Sequence, residues 1–294
     1  TGGLYTMRHY NCQWFQPQVL DSEGKPGMVA SGPMYDSLGR GNANVRLTHT
    51  YQYNIWNYKG TTWQNTTDLR RADINWVDIH ELRYNNPNSV DYGKPIKIEY
   101  LAAAVDTFKH VYAMPHYIMY VPQDDPNAQP FGGHGDWYVF RLAETYLIRA
   151  EAYYWKNELA LAAQDINAVR NRAKAIPIES NEVTIDFILD ERARELFAEE
   201  PRHSELVRIS YIMAKSGIGG YSLDNFSDKN FYFDRVMRYN NTYEKKIELL
   251  GNVANLAPFH VLWPIPSNVI TANTMGVINQ NIGYDGANQN VPPL

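Results

Sequence analysis

The sequence predicts a mainly α protein in which a helical hairpin and a following helix are embedded in long irregular loops, with at most a small sheet. Two neighbouring stretches carry apolar residues three and four positions apart, which is the spacing of one helix face. A third amphipathic run follows them directly. On both sides of these runs, glycine, proline, asparagine and serine recur so often that long regular elements are not expected.

The first predicted helix follows a loop, and Asp136 is expected to cap it. Its inward stripe consists of Val139, Leu142, Ala143, Tyr146, Leu147, Ala150, Tyr153 and Tyr154. Asn157 and Glu158 interrupt the pattern. The second predicted helix then presents Leu159, Ala162, Ala163, Ile166, Val169 and Ala173. Two amphipathic helices joined by so few residues are expected to pack back to back.

Small side chains at Ala150 and Ala162 allow the two helix backbones to approach closely, as in a tetratricopeptide-like hairpin. Arg149 departs from that repeat, which has a leucine at the corresponding position. A third helix is predicted within residues 184–200, and Pro201 is expected to end it. Its inward positions are Ile185, Ile188, Leu189, Leu196 and Phe197.

The chain is interpreted as one continuous domain with a loop-rich part at residues 1–135 and a helical part at residues 136–294. In the first part, residues 45–56 fit either a helix or an extended segment. Residues 92–105 and 110–122 look strand-like.

Two features are expected near the end of the chain. The prolines of Trp263-Pro264-Ile265-Pro266 exclude a helix and favour an extended segment. Ser267 is then expected to cap a short helix that ends near Asn273.

Composition excludes several classes of function. Over 294 residues, 27 Lys and Arg against 32 Asp and Glu give a net charge of -5, without a basic run. Nucleic acid is therefore not the expected partner, because phosphate binding needs concentrated positive charge. Cys12 is the one cysteine, which rules out an intrachain disulfide and a cysteine-rich metal site. No cofactor is predicted.

Familiar catalytic patterns do not fit this chain. The glycine-rich stretches at residues 132–135 and 217–220 lack the lysine and hydroxyl of a phosphate-binding loop. Acidic residues keep a glycoside hydrolase open as an alternative, since that chemistry needs two opposed carboxylates. The most regular set, Glu191, Glu195 and Glu199, instead lies on one helix face.

These glutamates are interpreted as structural ion pairs with Arg192, Arg194 and Arg202. A calcium site at Asp124, Asp125, Asn127 and Asp136 is a further alternative, although their spacing is not that of an EF-hand.

Four segments in order resemble the C-terminal half of the SusD/RagB family of outer-membrane nutrient-binding lipoproteins. The first two are residues 141–152 (RLAETYLIRAEA) and residues 166–173 (INAVRNRA). The third comprises Glu191, Arg192, Glu195, Leu196, Glu199, Arg202, Leu206, Val207 and Arg208. The fourth comprises residues 262–266 (LWPIP), Asn273, Gln280, Asn281, Gly283 and Tyr284. Asp68-Leu69-Arg70-Arg71 resembles a fifth, acid-then-arginine segment, whereas Pro201, His203 and Ser204 depart from the pattern.

The resemblance implies binding without catalysis. Members of the family capture oligosaccharides or other nutrients at the cell surface and deliver them to a SusC-like TonB-dependent transporter. It also implies an outer-membrane location through a lipid anchor that this chain does not carry, and a fragment that lacks the N-terminal helical repeats. A helical-repeat adaptor that binds a protein partner is a second alternative, and would be expected to show further repeats.

Within the resemblance, the loops before the hairpin are the expected ligand-binding region. Aromatic rings can stack on sugar faces, while arginine and amide groups fix orientation through hydrogen bonds. The residues predicted to do so are Trp14, Tyr35, Trp56, Trp63, Asn65 and Arg40. For each ring, the competing interpretation is a place in the core.

Overall fold

Helices account for nearly all the regular structure, as the sequence predicts. The computed structural model describes residues 5–102, 107–244, 248–249 and 252–292. The described helices are α1 Tyr5–Tyr10, α2 Pro33–Leu38, α3 His49–Gln52, α4 Thr107–His110, α5 His116–Met119, α6 Leu142–Trp155, α7 Leu159–Arg172, α8 Ile185–Glu195, α9 Arg202–Lys215, α10 Phe231–Tyr239, α11 Asn241–Glu244 and α12 Ser267–Ala272. Short 3₁₀ turns lie at Asn54–Trp56, Leu69–Arg71, Asp73–Asn75, Ile79–Glu81, Ile98–Tyr100, Ser180–Glu182, Ile218–Gly220, Pro258–Val261 and Ala287–Gln289.

The strands of the described chain are β1 Glu248–Leu249 and β2 Asn252–Val253, which pair antiparallel with Glu248 opposite Val253. This is the small sheet that the sequence allowed. No helix in the described residues is both long enough and apolar enough to cross a membrane.

The chain divides into two compact units, Thr1–Glu200 and Pro201–Leu294. The first unit holds the loop-rich part and the hairpin with α8. The second begins with α9. The division near residue 135 remains a prediction about sequence character.

The predicted hairpin is confirmed by α6 and α7. Ala150 and Ala162 are completely buried, so small side chains do lie where the two helices pack. Asn157 reverses the chain between the helices in the left-handed conformation, with φ 59°. The Glu158 N–H donates to the carbonyl of Tyr153 over 2.9 Å, which satisfies a carbonyl at the end of α6.

The start of α6 differs from the prediction. The helix begins at Leu142 with Arg141 at the cap position, so Asp136 is not the cap. Arg141 has extended backbone (φ -128°) while its guanidinium bonds Glu195 and Glu199, over 2.8 and 2.6 Å. The chain therefore stays extended up to this anchor, and the inward stripe starts at Ala143 rather than at Val139, which is 83% exposed.

The end of α8 also differs from the prediction. The predicted inward positions Ile185, Ile188 and Leu189 are buried. The helix nevertheless ends at Glu195, ahead of Pro201. Ala198 takes the left-handed conformation with φ 61°, which turns the chain before the proline is reached.

Ion pairs at Glu191, Glu195 and Glu199 are confirmed, but most partners come from other segments than predicted. Glu191 is completely buried and accepts from Arg70, Arg170 and Arg194, at 2.9, 2.7 and 2.9 Å. Glu195 pairs with Arg70 at 3.1 Å, with Arg141 at 2.8 Å and with Arg172. Glu199 pairs with Arg141, whereas Arg192 pairs with Glu200 at 2.6 Å.

This network keeps the Glu191 carboxyl ionised. Burial alone would raise the pKa of this group, but Arg70, Arg194 and Arg170 outweigh burial and hold the pKa well below its usual range. A buried charge is tolerated only when it is paired in this way. The network is therefore structural and joins the loop-rich part to the helices.

The acid-then-arginine segment supplies the loop side of that junction. The Asp68 carboxylate accepts from the Arg70 backbone N–H at 3.0 Å and from its guanidinium at 2.7 Å. The Leu69 N–H donates to the carbonyl of Ala173, just after α7, over 2.8 Å. Residues 68–70 are thus fixed to the end of the hairpin by a backbone hydrogen bond and to α8 by the charge of Arg70.

The strand-like segments of the loop-rich part form isolated bridges instead of strands. Arg83 bridges Pro95 and Val77 bridges Met114, one residue pair each. Prolines at 95 and 115 remove ladder donors, which explains why pairing does not extend. Residues 103–106 of the first segment lie outside the described residues. Residues 45–56, left open by the sequence, contain α3 and a 3₁₀ turn.

In the second unit, a side-chain clamp holds the predicted extended segment. Gln280 accepts from the Ile265 N–H over 2.8 Å and donates to the Ile265 carbonyl over 2.9 Å. Gly283, with φ 96°, lies so close to the Phe259 ring that a Cβ would meet it at 2.2 Å. Ser267 is the first residue of α12 rather than its cap, because Pro266 occupies the cap position.

Candidate functional site

Three of the predicted ligand-binding rings are buried in the core of the first unit. Trp14, Tyr35 and Trp56 are 0%, 2% and 3% exposed. Trp14 and Tyr35 pack edge to face with ring centroids 6.3 Å apart, and Trp56 packs against Trp76 at 5.9 Å. Because they are buried, these rings present no face to a ligand in this structure. Burying such large apolar rings stabilises the loop-rich part.

The other three predicted residues lie nearer the surface. Arg40 is half-buried, with its guanidinium carbon 5.5 Å from the centroid of the Phe131 ring. Asn65 is exposed, and its side-chain oxygen accepts from the Thr62 N–H over 2.7 Å, so it shapes its own loop. Trp63 is half-buried and lines a cleft. The role of Trp63 in binding remains a prediction. The geometry of the cleft shows which residues would act together with it.

The Trp63 cleft has a volume of about 370 Å³, within the range of small-ligand sites. Its lining residues come from three loop segments and are Tyr53, Trp63, Asp78, Ile79, His80, Pro95, Ile96, Lys97, Ile98 and Glu99. The Tyr53 and Trp63 rings are tilted by 57° with centroids 5.1 Å apart. The cleft therefore combines two aromatic rings with aliphatic and polar side chains.

Arg71 packs against the Trp63 ring and fixes its orientation. Its guanidinium carbon lies 4.9 Å from the Trp63 ring centroid and 4.2 Å from that of Trp76. The guanidinium is buried and bonds the Asp78 carboxylate over 2.8 Å. A cation against the face of an indole ring is attracted by the ring quadrupole, so the stack holds Trp63 in place before any ligand binds.

A tight turn positions the loop that carries Trp63. Tyr58 and Thr61 exchange two backbone hydrogen bonds of 3.1 and 3.0 Å, and Lys59 and Gly60 both have positive φ, at 45° and 82°. This is the backbone of a two-residue hairpin turn. The turn is attached to Glu182, which accepts from the Tyr58 hydroxyl and the Lys59 ammonium, both at 2.9 Å.

Those contacts also affect the Glu182 carboxyl. Hydrogen bonds from the Glu179 N–H and from Lys59 lower the pKa of Glu182 to about 2. The attachment therefore persists across the neutral and mildly acidic range. The tip of the loop is held near the helices while Trp63 faces the cleft.

Polar groups at the rim suit hydroxyl recognition. His80, Lys97 and Glu99 are exposed side chains of the cleft lining. Together they offer donors and acceptors of hydrogen bonds beside the apolar Ile98, which is 47% exposed. An aromatic ring with mixed hydrogen-bonding groups is the chemistry that binds sugar rings.

The two carboxylates of the cleft differ in their surroundings. Of its two carboxylates, Asp78 is buried and bound to Arg71, and Glu99 is exposed. The described carboxyl groups whose pKa values are displaced all have lowered values, and they are Asp21, Asp91, Asp124, Glu182 and Glu191. A general acid that works near neutral pH needs a raised pKa instead.

One group of acids in the described chain has the spacing to hold a metal ion. Single oxygens of Asp73, Asp78 and Glu81 lie within 4.8 Å of one another. Asp78 is already paired with Arg71, and the Glu81 carboxylate accepts from the Asp78 N–H over 2.6 Å. In this arrangement Asp78 and Glu81 cap the 3₁₀ turn Ile79–Glu81, and Asp78 also holds Arg71. Asp124, from the calcium alternative, pairs with His134.

Sequence reasoning missed Arg71 and the residues of the far wall. Tyr53, His80 and residues 96–99 carried no motif, and their proximity to Trp63 depends on loop packing. One signal was present in the sequence, the acid-then-arginine segment. Its last residue, Arg71, is buried and follows Arg70, which makes the ion pairs with α8.

Comparison with known proteins connects this chain to one family. The model described as the SusD family matches residues 23–284. Over 70 residues the chain is 44% identical to the starch-binding protein SusD of Bacteroides thetaiotaomicron, a match that covers 24% of this chain and 12% of that protein. A crystal structure of a SusD superfamily protein from Bacteroides fragilis aligns with 96% of this chain, at 17% identity and a TM-score of 0.46. The chain spans 49% of that solved protein.

Proposed function

Because the chain belongs to the SusD family, we propose that it takes part in the binding of a glycan, without catalysis, through the Trp63 cleft. The observation that carries this proposal is the preset aromatic wall of the cleft, where Arg71 holds the Trp63 ring beside exposed hydrogen-bonding groups. A fixed ring lowers the entropic cost of binding, since it need not be ordered by the ligand.

The comparisons support the ligand class. The curated relative is named as a starch-binding protein, and the family model spans most of this chain. Starch binding is stated for that relative. For this chain the proposal is an oligosaccharide, with the sugar left to experiment.

The proposal extends to the setting of the protein. We place it at the outer-membrane surface as part of a lipoprotein that delivers its ligand to a SusC-like TonB-dependent transporter. This part of the proposal depends on the family alone.

A glycan panel measured by calorimetry tests the proposal. Replacing Trp63→Ala removes the aromatic wall, and we expect it to weaken binding of the best neutral oligosaccharide by about tenfold or more. The matched control is Trp263→Ala, which removes a tryptophan that is 70% exposed and does not line the cleft. Its affinity should equal that of the unchanged protein.

A second variant separates loss of a contact from loss of structure. His80 is exposed and lines the cleft, so His80→Ala should weaken binding several-fold while circular dichroism and the unfolding midpoint stay unchanged. If folded Trp63→Ala and His80→Ala proteins both bind as tightly as the unchanged chain, the cleft is not the glycan site.

A further inference from the structure

A second cavity of the first unit lies against the ion-pair network and is independent of the Trp63 cleft. Its volume is about 360 Å³. Charged side chains in its wall include Arg141, Arg172, Glu195 and Glu199. Apolar groups complete the wall, among them the Tyr138 ring, which is 65% exposed, and Ile118, which is 47% exposed.

The charges of the network do not balance. Its cations are Arg70, Arg141, Arg170, Arg172 and Arg194. Its anions are Asp68, Glu191, Glu195 and Glu199. Five against four leaves one positive charge in excess, although the whole chain carries -5. The cavity therefore borders a local cationic site in an otherwise acidic protein.

Arg172 is where this excess charge reaches the cavity. Its side chain is 61% exposed, while those of Arg70 and Arg141 are 11% and 18% exposed. One terminal nitrogen, Nη2, donates to Glu195. Within the part of the chain that the structure describes, Nε and Nη1 of Arg172 donate to no protein acceptor.

In Arg141, by contrast, every guanidinium nitrogen already donates to a protein acceptor. Arg141 uses Nε on Glu199, Nη1 on the Glu195 carboxylate and Nη2 on the Glu195 carbonyl, at 2.6 to 2.8 Å. Glu195 in turn already accepts from three arginines. Of Arg70, Arg141 and Arg172, Arg172 thus has the most exposed unused donors, and an anionic acceptor would satisfy them.

We propose that this cavity binds the carboxylate of an acidic sugar, a uronate residue, with Arg172 as its charge partner and the Tyr138 ring against its C–H face. The combination of an exposed guanidinium that has unused donors with an exposed aromatic ring matches a sugar ring that bears a carboxylate. The glycan class rests on the proposed function, whereas the preference for an acidic sugar depends on this wall alone.

Calorimetry with a matched pair of probes tests the site. Digalacturonate and the neutral disaccharide of the same linkage differ in their carboxylates. We expect the acidic probe to bind at least about tenfold more tightly at low salt, and the difference to shrink as salt rises. Arg172→Gln should abolish the difference.

Arg149→Gln is the matched control. Arg149 is also an exposed arginine, 56% for its side chain, paired with a buried carboxylate, Asp165, but it does not line this cavity. Tyr138→Ala covers the case in which Arg172→Gln folds poorly, because Tyr138 is mostly exposed. We expect Arg149→Gln to bind the acidic probe normally and Tyr138→Ala to bind it several-fold more weakly.

The outcomes separate this site from the Trp63 cleft. Trp63→Ala should retain the preference for digalacturonate. Equal affinity for the two probes, or an undiminished preference in folded Arg172→Gln, would overturn the uronate site while leaving neutral-glycan binding at the Trp63 cleft intact. Failure of every glycan to bind would instead reject the proposed function together with this site.

Discussion

His116 is a neutral histidine buried in the first unit. Its side chain is inaccessible to solvent, with Nδ1 3.1 Å from Asn11 Nδ2 and Nε2 3.3 Å from the Ser37 carbonyl oxygen. The Asn11 amide can only donate to Nδ1, so the ring proton lies on Nε2 and donates to Ser37. Burial lowers the pKa of His116 to about 4, against the opposing effect of the Ser37 carbonyl.

Stability should therefore fall as the medium is acidified. Between pH 6.5 and 4 the unfolded chain takes up a proton at His116 that the folded protein does not, which favours unfolding by up to about 3 kcal/mol. The effect is absent above pH 6.5 and complete below pH 4. Urea unfolding at a series of pH values measures it.

His116→Gln supplies the comparison, because glutamine keeps one donor and one acceptor but does not titrate. The unchanged protein should lose more stability than the variant over that pH range. Parallel curves for the two proteins would show that His116 does not titrate in this way.

At the scale of single residues, the sequence did not show which aromatic rings are buried. Trp14, Tyr35 and Trp56 lie in the same loop-rich part of the chain as Trp63, yet they are buried and Trp63 is half-buried. Composition gives the type of a side chain, and its exposure depends on which distant segment covers it. Ala150 and Ala162 were predictable because helical spacing alone sets their direction.

At the scale of elements, both hairpin helices end in the same kind of turn. After α7, Lys174 takes the left-handed conformation with φ 55°, and the Ala175 N–H donates to the Arg170 carbonyl over 2.9 Å. Asn157 plays this part after α6. Both residues carry a Cβ that disfavours the conformation, but the short polar side chain of asparagine can offset this by bonding locally, whereas that of lysine cannot.

Lys174→Gly should therefore stabilise the protein by about 0.5–1 kcal/mol. Lys156→Gly is the control. Lys156 follows α6 with φ -84°, where glycine adds freedom to the unfolded chain and removes a solvent-exposed ion pair with Glu158, so it should destabilise by a similar amount. Urea midpoints at constant slope measure both. A shift of the two variants in the same direction would contradict the argument.

Helix existence was predictable and helix ends were not. The stripes of α6, α7 and α8 follow from local spacing, and all three helices are present. Their ends at Arg141 and Ala198 are set by ion pairs and backbone turns that no local pattern encodes. The strand-like segments failed for a related reason: alternating apolar residues indicate burial, but a ladder also needs a partner with free donors.

At the scale of the whole molecule, the chain should bind its glycan without consuming it. Among the described residues, every carboxyl group whose pKa is displaced has a lowered pKa, which favours the ionised form. In the cleft, the Asp78 carboxylate is bound by Arg71. We expect no new reducing ends after prolonged incubation with the best ligand, measured against protein unfolded by heat. Reducing ends that accumulate in proportion to folded protein would support the hydrolase alternative.

The family could be predicted from the sequence, whereas the full lining of the proposed Trp63 cleft could not. Motifs such as residues 262–266, Gln280 and Gly283 are scaffold, and the structure shows what they do: an amide clamp and a close approach to Phe259. The scaffold motifs follow one another along the chain in a fixed order, so the family can be recognised from them. The Trp63 cleft is assembled from loops that carry no such pattern.

The junction between loops and helices also sets an order in time. Arg70 reaches Glu191 across 121 residues of chain, and Phe197 stacks on Tyr51 with centroids 4.9 Å apart. During synthesis from the amino terminus, Tyr51 and Arg70 lack these partners until α8 and the residues directly after it have been made. Closing so long a loop is entropically costly, and contacts of this separation form late and slowly. The first unit is therefore expected to mature only when its last residues are available.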